Sequence, residues 1–172
     1  MNEQQYVFFW GGIFSNWYTC KFTVDGKEYS TSEQYMMEQK ALLFNDTRTA
    51  EQIMSTNDPR TQKALGRTIK NYDQKIWDNH KYEIVKKGCR AKFEQSLFLK
   101  KGLLSEKGKL FVEASPEDAI WGIGFHSSNA LENKDKWGEN LLGKLLTELS
   151  NEIQYNDDDL AHLERLNVKV EK

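Results

Sequence analysis

The sequence has 172 residues, with 24 Lys and Arg against 26 Asp and Glu, and 38% of its residues are hydrophobic. This length is typical of one compact domain, and the formal net charge of −2 argues against a broad non-specific nucleic-acid surface, which needs a basic excess. No apolar stretch approaches the roughly 20 residues that span a bilayer, and the segment from Met1 to Trp10 lacks the pattern of a signal peptide, so we expect a cytoplasmic protein without a membrane partner.

The N-terminal part of the chain is predicted to form a strand, a hairpin and a helix. The aromatic run from Tyr6 to Trp10 is typical of a strand. Apolar and polar residues alternate from Cys20 to Val24, and Asp25-Gly26 then tolerates the positive φ angles of a tight turn, which indicates a hairpin. The hydroxyl residues from Ser30 to Ser32 offer N-caps, so a helix is expected from about Ser32 to Phe44.

Two further helices are predicted in the middle of the chain. Asp58-Pro59 is a helix start signal, because proline suits the first helical position. A longer helix is expected from Gln74 or Asp78 to Leu99. Gly88 lies inside this helix and costs about 1 kcal/mol relative to alanine, so we expect another part of the chain to pack closely against it.

The C-terminal half is predicted to contain a strand from Leu110 to Ala114, a glycine-rich strand or loop over residues 119–125, and a core helix whose apolar face is the leucine run from Leu141 to Leu149. After Ile153 the composition changes, and the acids from Asp157 to Asp159 suit the N-terminus of a short appended helix. The expected fold is therefore α+β, mostly helical with a few short strands, in one compact domain over residues 1–153 followed by an acidic tail over residues 154–172.

Several patterns that resemble known sites are rejected. Gly138 to Lys144 spells G-x-x-x-x-G-K, but the leucine periodicity runs through Gly143 and a leucine stands where the phosphate-binding loop needs Ser or Thr. Cys20 and Cys89 are far apart and are expected to be reduced thiols. The three histidines are scattered, so we expect no metal and no cofactor. The five tryptophans exceed what a core of this size needs, and some are expected to line a pocket.

Eight short motifs stand in order along the chain. They are Phe14-Ser15-Asn16-Trp17-Tyr18, Ser32-Glu33-Gln34-Tyr35-Met36-Met37 leading to Lys40-Ala41, Lys63-Ala64-Leu65-Gly66-Arg67, Trp77, Lys92-Phe93, Glu113-Ala114-Ser115-Pro116-Glu117-Asp118, Trp121-Gly122-Ile123-Gly124, and Trp137-Gly138-Glu139-Asn140-Leu141-Leu142-Gly143. In this order and at these spacings they resemble the motifs of one family, the NADAR/YbiA-like N-glycosidases. The resemblance covers roughly Val7 to Leu149, and it implies a YbiA-like fold and hydrolysis of the bond between a ribose C1 and an amine. It further implies substrates such as phosphoribosylamino-pyrimidine intermediates of riboflavin synthesis, or ADP-ribose attached to guanine.

Glu33 and Lys40 are the first predicted catalytic residues. They lie two helical turns apart, which places them on one face about 10 Å apart along the axis, and Met37 and Phe44 share their stripe. An acid protonates the departing nitrogen of an N-glycoside, and a lysine in apolar surroundings attacks a sugar aldehyde as an amine. Together with the resemblance, this predicts that Glu33 shuttles the proton and Lys40 forms a Schiff base at C1. The alternatives are a capping box from Ser30 to Glu33, and a surface lysine whose stem covers apolar neighbours.

Asp118 is the third predicted catalytic residue, and it directly precedes a candidate ligand wall. In that wall Trp121 offers a stacking surface, while Gly122 and Gly124 allow the backbone to approach a sugar or phosphate closely. The alternatives are that Asp118 only caps a turn and that Trp121 is a core residue beside a bulge. Glu113, in the predicted strand, is expected to be solvent-facing or paired and is ranked below these residues.

The remaining predicted substrate-binding residues each have a structural alternative. Lys63 and Arg67, spaced i,i+4, hold a phosphate or form an ordinary solvated basic face. Trp77 stacks on a base or packs in the core. Asn16 hydrogen-bonds the ribose or base, or only holds its own loop. Asn140 and Gly143, near the start of the last helix, donate to the ligand from an amide or the backbone, or the helix only packs closely around Gly143. The set is Asn16, Trp17, Lys63, Arg67, Trp77, Trp121, Gly122, Gly124 and Asn140.

Three functions therefore remain open from the sequence. The first is an N-glycosidase acting on a phosphoribosylamino-pyrimidine or an ADP-ribosyl-guanine. The second is a non-catalytic module that binds ADP-ribose or a nucleotide, and the third is an interaction protein with an acidic recruiting tail. The presence of Glu33, Lys40 and Asp118 favours the enzyme. The expected partner is a small nucleotide-like substrate or an ADP-ribosylated guanine in nucleic acid, and the oligomeric state is left open.

Overall fold

Seven α-helices and four short strands make up residues 3–170, the part of the chain that the computed structural model describes. The predicted α+β, mostly helical domain with few strands is confirmed. No described helix is long and apolar enough to cross a membrane. The elements are β1 (Tyr6–Phe9), β2 (Phe22–Val24), β3 (Lys27–Tyr29), α1 (Ser32–Leu43), α2 (Thr47–Met54), α3 (Pro59–Gly66), α4 (Gln74–Glu94), α5 (Leu97–Leu104), β4 (Leu110–Glu113), α6 (Leu141–Glu152) and α7 (Asp157–Arg165), with 3-10 turns at Gly12–Phe14, Ser127–Asn129 and Leu131–Lys136.

The strands form two separate pairs. β1 and β4 run parallel with Phe9 opposite Glu113, so the ends of both strands and the loops that follow them meet at one edge. β2 and β3 form the predicted hairpin, in which Asp25 and Gly26 adopt φ angles of 50° and 83°. These positive values explain the Asp-Gly pair, since both residue types tolerate the left-handed region.

Helix α1 is the centre of the fold and packs against α2, α3 and α4. Its N-cap is Thr31, whose side chain accepts a hydrogen bond from the backbone N–H of Gln34, while Oε1 of Gln34 accepts from the backbone N–H of Ser30. The capping box considered for Ser30 and Glu33 is therefore wrong. The residue that reaches back is Gln34, and the Glu33 carboxyl has no part in the cap.

The long helix predicted up to Leu99 is two helices. α4 begins at Gln74 with Asp73 as its N-cap, ends at Glu94, and is followed by α5. The break occurs because the Ser96 hydroxyl caps a new helix by accepting from the backbone N–H of Leu99. The close contact expected at Gly88 is confirmed, because a Cβ built there would lie 2.2 Å from Cδ1 of Tyr35.

The start of α6 is held by the irregular segment over residues 119–123. Backbone N–H groups of Asn140, Leu141 and Leu142 donate to the carbonyls of Gly122, Ile120 and Trp121. These bonds satisfy the N–H groups that a helix N-terminus leaves free. The segment is a loop rather than a strand, and α6 beyond it buries the predicted leucine face against β4. Because Gly143 lies inside α6, the rejection of the phosphate-binding loop is confirmed.

The acidic segment after Ile153 forms helix α7, with the acids from Asp157 to Asp159 in its first turn as expected. Asn156 and Asp159 make a capping box at its start. The helix rests on the body of the protein through the buried side chain of Leu163 and a salt bridge from the buried Lys100 to Asp159. The three acids therefore lie in the first turn of α7, and Asp159 also joins the helix to the rest of the protein.

Candidate active site

A cavity of about 570 Å³ opens between α1, α3 and the loops that follow β1 and β4. Its volume lies within the range of about 300–1,000 Å³ that is usual for small-molecule sites. The wall contains nine residues that the sequence singled out, drawn from five separate stretches of the chain. They are Asn16, Trp17, Glu33, Lys40, Lys63, Arg67, Trp77, Asp118 and Trp121.

Glu33 lies in the first turn of α1 and is only 4% exposed. Its backbone N–H donates to the carbonyl of Asn16, which ties the start of the helix to the loop after β1. Burial raises the pKa of the Glu33 carboxyl to about 7, and the charge of Asp118 adds to the rise while Lys63 and Lys40 oppose it. Near neutral pH the carboxyl therefore exists in both forms, which is what a proton shuttle requires.

Lys40 lies half-buried in the last turn of α1, between aromatic rings. Its Nζ is 4.7 Å from the ring centre of Tyr72 and 5.6 Å from that of Trp77, and it donates to the carbonyl of Gly66 at 3.2 Å. Burial lowers the pKa of Lys40, and Arg67 lowers it further, while Glu33 opposes the change. This environment differs from that of the solvated surface lysine considered above, and it favours the neutral amine that acts as a nucleophile.

Asp118 and Glu113 bring two further carboxyl groups to the cavity. Oδ1 of Asp118 accepts from the backbone N–H groups of Ile120 and Trp121, both at 2.9 Å, so this residue caps a turn and lines the cavity at once. Glu113, at the end of β4, also lines the cavity. Burial first, then the charges of Asp118 and Glu33, raise the pKa of Glu113 to about 8.

Basic residues of α3 and its C-cap form one side of the cavity: Arg60, Lys63 and Arg67. None of the three makes a salt bridge to another residue in the described range 3–170. Nζ of Lys63 lies 5.9 Å from the ring centre of Trp17. Three cations at the wall of a cavity, none of them in a salt bridge within this described range, suit an anionic group of a ligand.

Asn16 is held in place by its neighbours rather than free to turn. Its Oδ1 accepts from the Ser32 hydroxyl at 2.8 Å and lies 3.7 Å from the thiol of Cys89. The loop that carries Asn16 is also held by the buried Lys92, which is 1% exposed and donates from Nζ to the carbonyl of Ser15 at 3.0 Å. Since Oδ1 is used in this way and Asn16 lines the cavity, its amide nitrogen is the side-chain group left to donate to a ligand.

Three predicted substrate contacts lie behind the cavity wall instead of in it. The amide of Asn140 is fully used, because Oδ1 accepts from the backbone N–H of Glu113 and Nδ2 donates to the carbonyl of Phe111, both at 3.0 Å. A Cβ on Gly122 would lie 2.7 Å from the carbonyl oxygen of Glu113, and Gly124 has a φ of 78°. These contacts, and the absence of the three residues from the cavity lining, favour support of the turn that carries Asp118 and Trp121 over the predicted contact with the ligand.

The structure also adds residues that the sequence reasoning missed or ranked low. Trp10 and Gly11, from the loop after β1, and Arg60 line the cavity. A signal for Arg60 was present, since it stands three residues before Lys63 on the same helix face. Glu113 lines the cavity as the last residue of β4, although the sequence ranked it below the other site residues. The alternation of a strand does not show whether its last residue faces solvent or a cavity. In residues 3–170 no group of three or more His, Cys, Asp or Glu side chains is placed to hold a metal ion.

Comparison with known proteins gives consistent matches over almost the whole chain. A family model described as the NADAR domain matches residues 8–154. The N-glycosidase R617 of Acanthamoeba polyphaga mimivirus is 43% identical over 169 residues, covering 90% of this chain and 99% of that protein. The N-glycosidase YbiA of Escherichia coli is 35% identical over 142 residues, covering 83% of this chain and 81% of that protein.

Two further matches concern the fold and a larger protein. The NMR structure of the E. coli protein YbiA superposes with a TM-score of 0.73 at 30% identity, covering 99% of this chain and 92% of that chain. The riboflavin biosynthesis protein VVA0006 of Vibrio vulnificus is 30% identical over 143 residues, which are 83% of this chain and 36% of that protein.

Proposed function

We propose a substrate class and a mechanism for this chain. The chain belongs to the NADAR family and, like its relatives named N-glycosidase, it hydrolyses an N-glycosidic bond. The observation that carries the proposal is the pair formed by Glu33 and Lys40. Burial at the same cavity raises the pKa of the acid to about 7 and lowers the pKa of the amine, so the acid exchanges its proton near neutral pH and the environment favours the neutral form of the amine.

The reaction follows from these two groups. The nitrogen of a ribosylamine opens the sugar ring and becomes an iminium at C1, still carrying its N–H. The neutral amine of Lys40 adds to C1, the Glu33 carboxylate takes a proton from the lysine nitrogen and gives it to the original nitrogen, and the original amine then leaves with its bonding electrons. Water adds to the resulting protonated Schiff base with Glu33, again a carboxylate, as the base. The C1–Lys40 bond then breaks, which releases the sugar and restores the lysine amine.

The substrate is proposed to carry a phosphate and a flat base. Arg60, Lys63 and Arg67 supply cationic donors for the phosphate, and Trp17 and Trp121 supply aromatic faces in the same wall. Two ribosylamines fit this description, a phosphoribosylamino-pyrimidine and an ADP-ribosylated guanine. The name of the Vibrio relative supports the phosphoribosylamino-pyrimidine. The side chains of Trp10 and Trp17, which are 54% and 39% exposed at the cavity opening, instead suit stacking on a base presented from a nucleic acid.

The test is to incubate the protein with each substrate, with and without borohydride, and to analyse small products and protein by mass spectrometry. We expect release of ribose 5-phosphate or ADP-ribose, and a sugar mass attached to Lys40 in the reduced sample. Lys40→Met should abolish both signals, while Lys144→Met, a change of an exposed lysine on α6, should alter neither. Turnover without any trapped sugar would overturn the covalent role of Lys40. Tight ADP-ribose binding with no turnover of either substrate would identify a binding module instead.

A further inference from the structure

The side chain of Glu113 carries a buried oxygen that has no hydrogen-bond partner in the described part of the chain. Within residues 3–170, its Oε2 is the one buried side-chain nitrogen or oxygen that has no hydrogen-bond partner. A buried polar atom left without a partner loses the hydrogen bonds that it makes to water in the unfolded chain. Because Glu113 lines the cavity, a substrate atom can supply the missing partner. An unsatisfied atom at this position points to a ligand contact and not to a structural role.

The backbone of Glu113 is fixed on both sides, so its side chain leaves from a defined point. Its N–H donates to Oδ1 of Asn140 at 3.0 Å, and its carbonyl accepts from the N–H of Ile123 at 2.9 Å. These bonds join β4 to α6 and to the turn that carries Asp118. Its side chain therefore starts from a fixed backbone position at the cavity wall, as a positioned catalytic group requires.

The charges around Glu113 keep a proton on it. Asp118 in the following turn and Glu33 on α1 repel its ionised form, while Lys63 on α3 is the cation that favours it, and the neutral thiol of Cys89 lies nearby on α4. Burial is the largest cause, and together these effects raise the pKa of Glu113 to about 8. At neutral pH the group is therefore mainly a carboxylic acid with an O–H to donate.

The mechanism proposed above begins with a proton transfer that needs an acid at the ring oxygen. When the nitrogen lone pair forms the C1 iminium, the bond between C1 and the ring oxygen breaks, and its electron pair stays on that oxygen. The oxygen must then gain a proton to become the open-chain hydroxyl. Since Glu33 exchanges protons with the two nitrogens at C1, an acid for the ring oxygen is a separate position in the site.

We propose that Glu113 is this acid: its O–H bond breaks, the proton passes to the ribose ring oxygen as the C1–O bond breaks, and the carboxylate regains a proton when the product ring closes. This step rests on the proposed function. The assignment follows from the neighbours of each carboxyl. Glu33 is on the same helix as Lys40 and so serves the nitrogens exchanged at C1, while Glu113 stands at the end of β4, next to the turn that carries Asp118.

The test compares wild-type protein with Glu113→Gln, Glu113→Asp and the control Glu132→Gln, an exposed change outside the cavity. Glutamine keeps the shape and a donor but has no proton to give, so kcat/KM should fall by about 10²-fold while the Kd for ADP-ribose changes by less than about threefold. The ratio of wild-type to Glu113→Gln kcat/KM should be constant below about pH 7 and fall about tenfold per pH unit above about 8, where Glu113 loses its proton. Below about pH 7 the side chain at position 113 is uncharged in both proteins, so the titration of Glu33 and Lys40 cancels in this ratio.

Glu113→Asp keeps an acid but shortens it, so it should lose part of the rate and retain the wild-type pH dependence. This variant also decides the matter if the glutamine variant does not fold. A ratio that stays flat through pH 10, or an unchanged kcat/KM in Glu113→Gln, overturns the role of Glu113 even if sugar is still trapped on Lys40. Absence of turnover in the wild-type protein would instead count against the proposed function.

Discussion

Replacing Glu33 by glutamine should make the protein more stable and less active, and the gain in stability should depend on pH. The pKa of Glu33 rises from 4.5 to about 7 in the folded protein because the carboxyl is buried. Each pKa unit corresponds to about 1.36 kcal/mol, so the ionised group reduces the free energy of unfolding by about 3 kcal/mol. Glutamine has a similar shape and no charge, so it removes this loss.

The sign follows from proton binding. Between pH 4.5 and about 7 the unfolded chain releases the Glu33 proton while the folded chain retains it. The free energy of unfolding therefore falls as pH rises through this window, and above it the loss is constant. The difference between Glu33→Gln and wild type should be close to zero near pH 4.5 and reach about 3 kcal/mol at about pH 8.

The measurement is urea unfolding at several pH values, followed by tryptophan fluorescence, with Glu51→Gln as a control at an exposed position of α2. The control should show the wild-type pH dependence. In parallel, Glu33→Gln should reduce kcat by about 10²–10⁴-fold because the proton shuttle is lost. Identical pH dependence of stability in wild type and Glu33→Gln would refute the argument that burial sets the state of this carboxyl.

Three further changes test the packing, the turn and the basic wall. Gly88→Ala should lower the melting temperature, because the clash with Tyr35 costs about 1–3 kcal/mol and exceeds the helix gain of about 1 kcal/mol; an unchanged or higher value in calorimetry would contradict the close packing. Asn140→Ala should reduce the free energy of unfolding by about 2–4 kcal/mol, because both hydrogen bonds of the amide are lost. The control Asn71→Ala, at an exposed position that also has a positive φ, should have a smaller effect. KM should stay unchanged because Asn140 lies behind the cavity wall, and an increase in KM would restore Asn140 as a substrate contact. Arg67→Met should raise KM for a phosphorylated substrate by about 10–100-fold and leave an unphosphorylated riboside unaffected in steady-state kinetics, while equal effects on both would exclude a phosphate contact.

Local sequence signals predicted most of the fold because each acts over a few residues. Asp25-Gly26 defines its hairpin and Asp58-Pro59 starts α3, and the structure contains both. The boundary between α4 and α5 was missed for a physical reason. Phe93 and Leu97 continue one helical stripe across it, so periodicity alone does not show that the Ser96 hydroxyl begins a new helix.

The candidate site was predictable only where its residues share one helix or one motif. Glu33 and Lys40 lie on the same face of α1, so helix geometry brings them together from the sequence. Glu113 reaches the cavity through the parallel pairing of β1 with β4, a contact between segments about one hundred residues apart along the chain. No local pattern encodes that pairing, and strand alternation ranked Glu113 as an ordinary surface or paired residue.

The reactivity proposed for Glu33 and Lys40 comes from the folded environment and opposes the preference of their own helix. Glu33 stands in the first turn of α1 and Lys40 in the last, where the helix dipole favours a negative and a positive charge respectively. That effect is worth about 0.3–1 kcal/mol, while the rise in the pKa of Glu33 from 4.5 to about 7 corresponds to about 3 kcal/mol in the opposite direction. Burial therefore wins at both ends of α1, because it lowers the pKa of Lys40 as well. The same helix free in water would hold an ordinary carboxylate and an ordinary ammonium group, so the neighbouring walls from α3, α4 and the loops after β1 and β4 are what make the pair chemically useful.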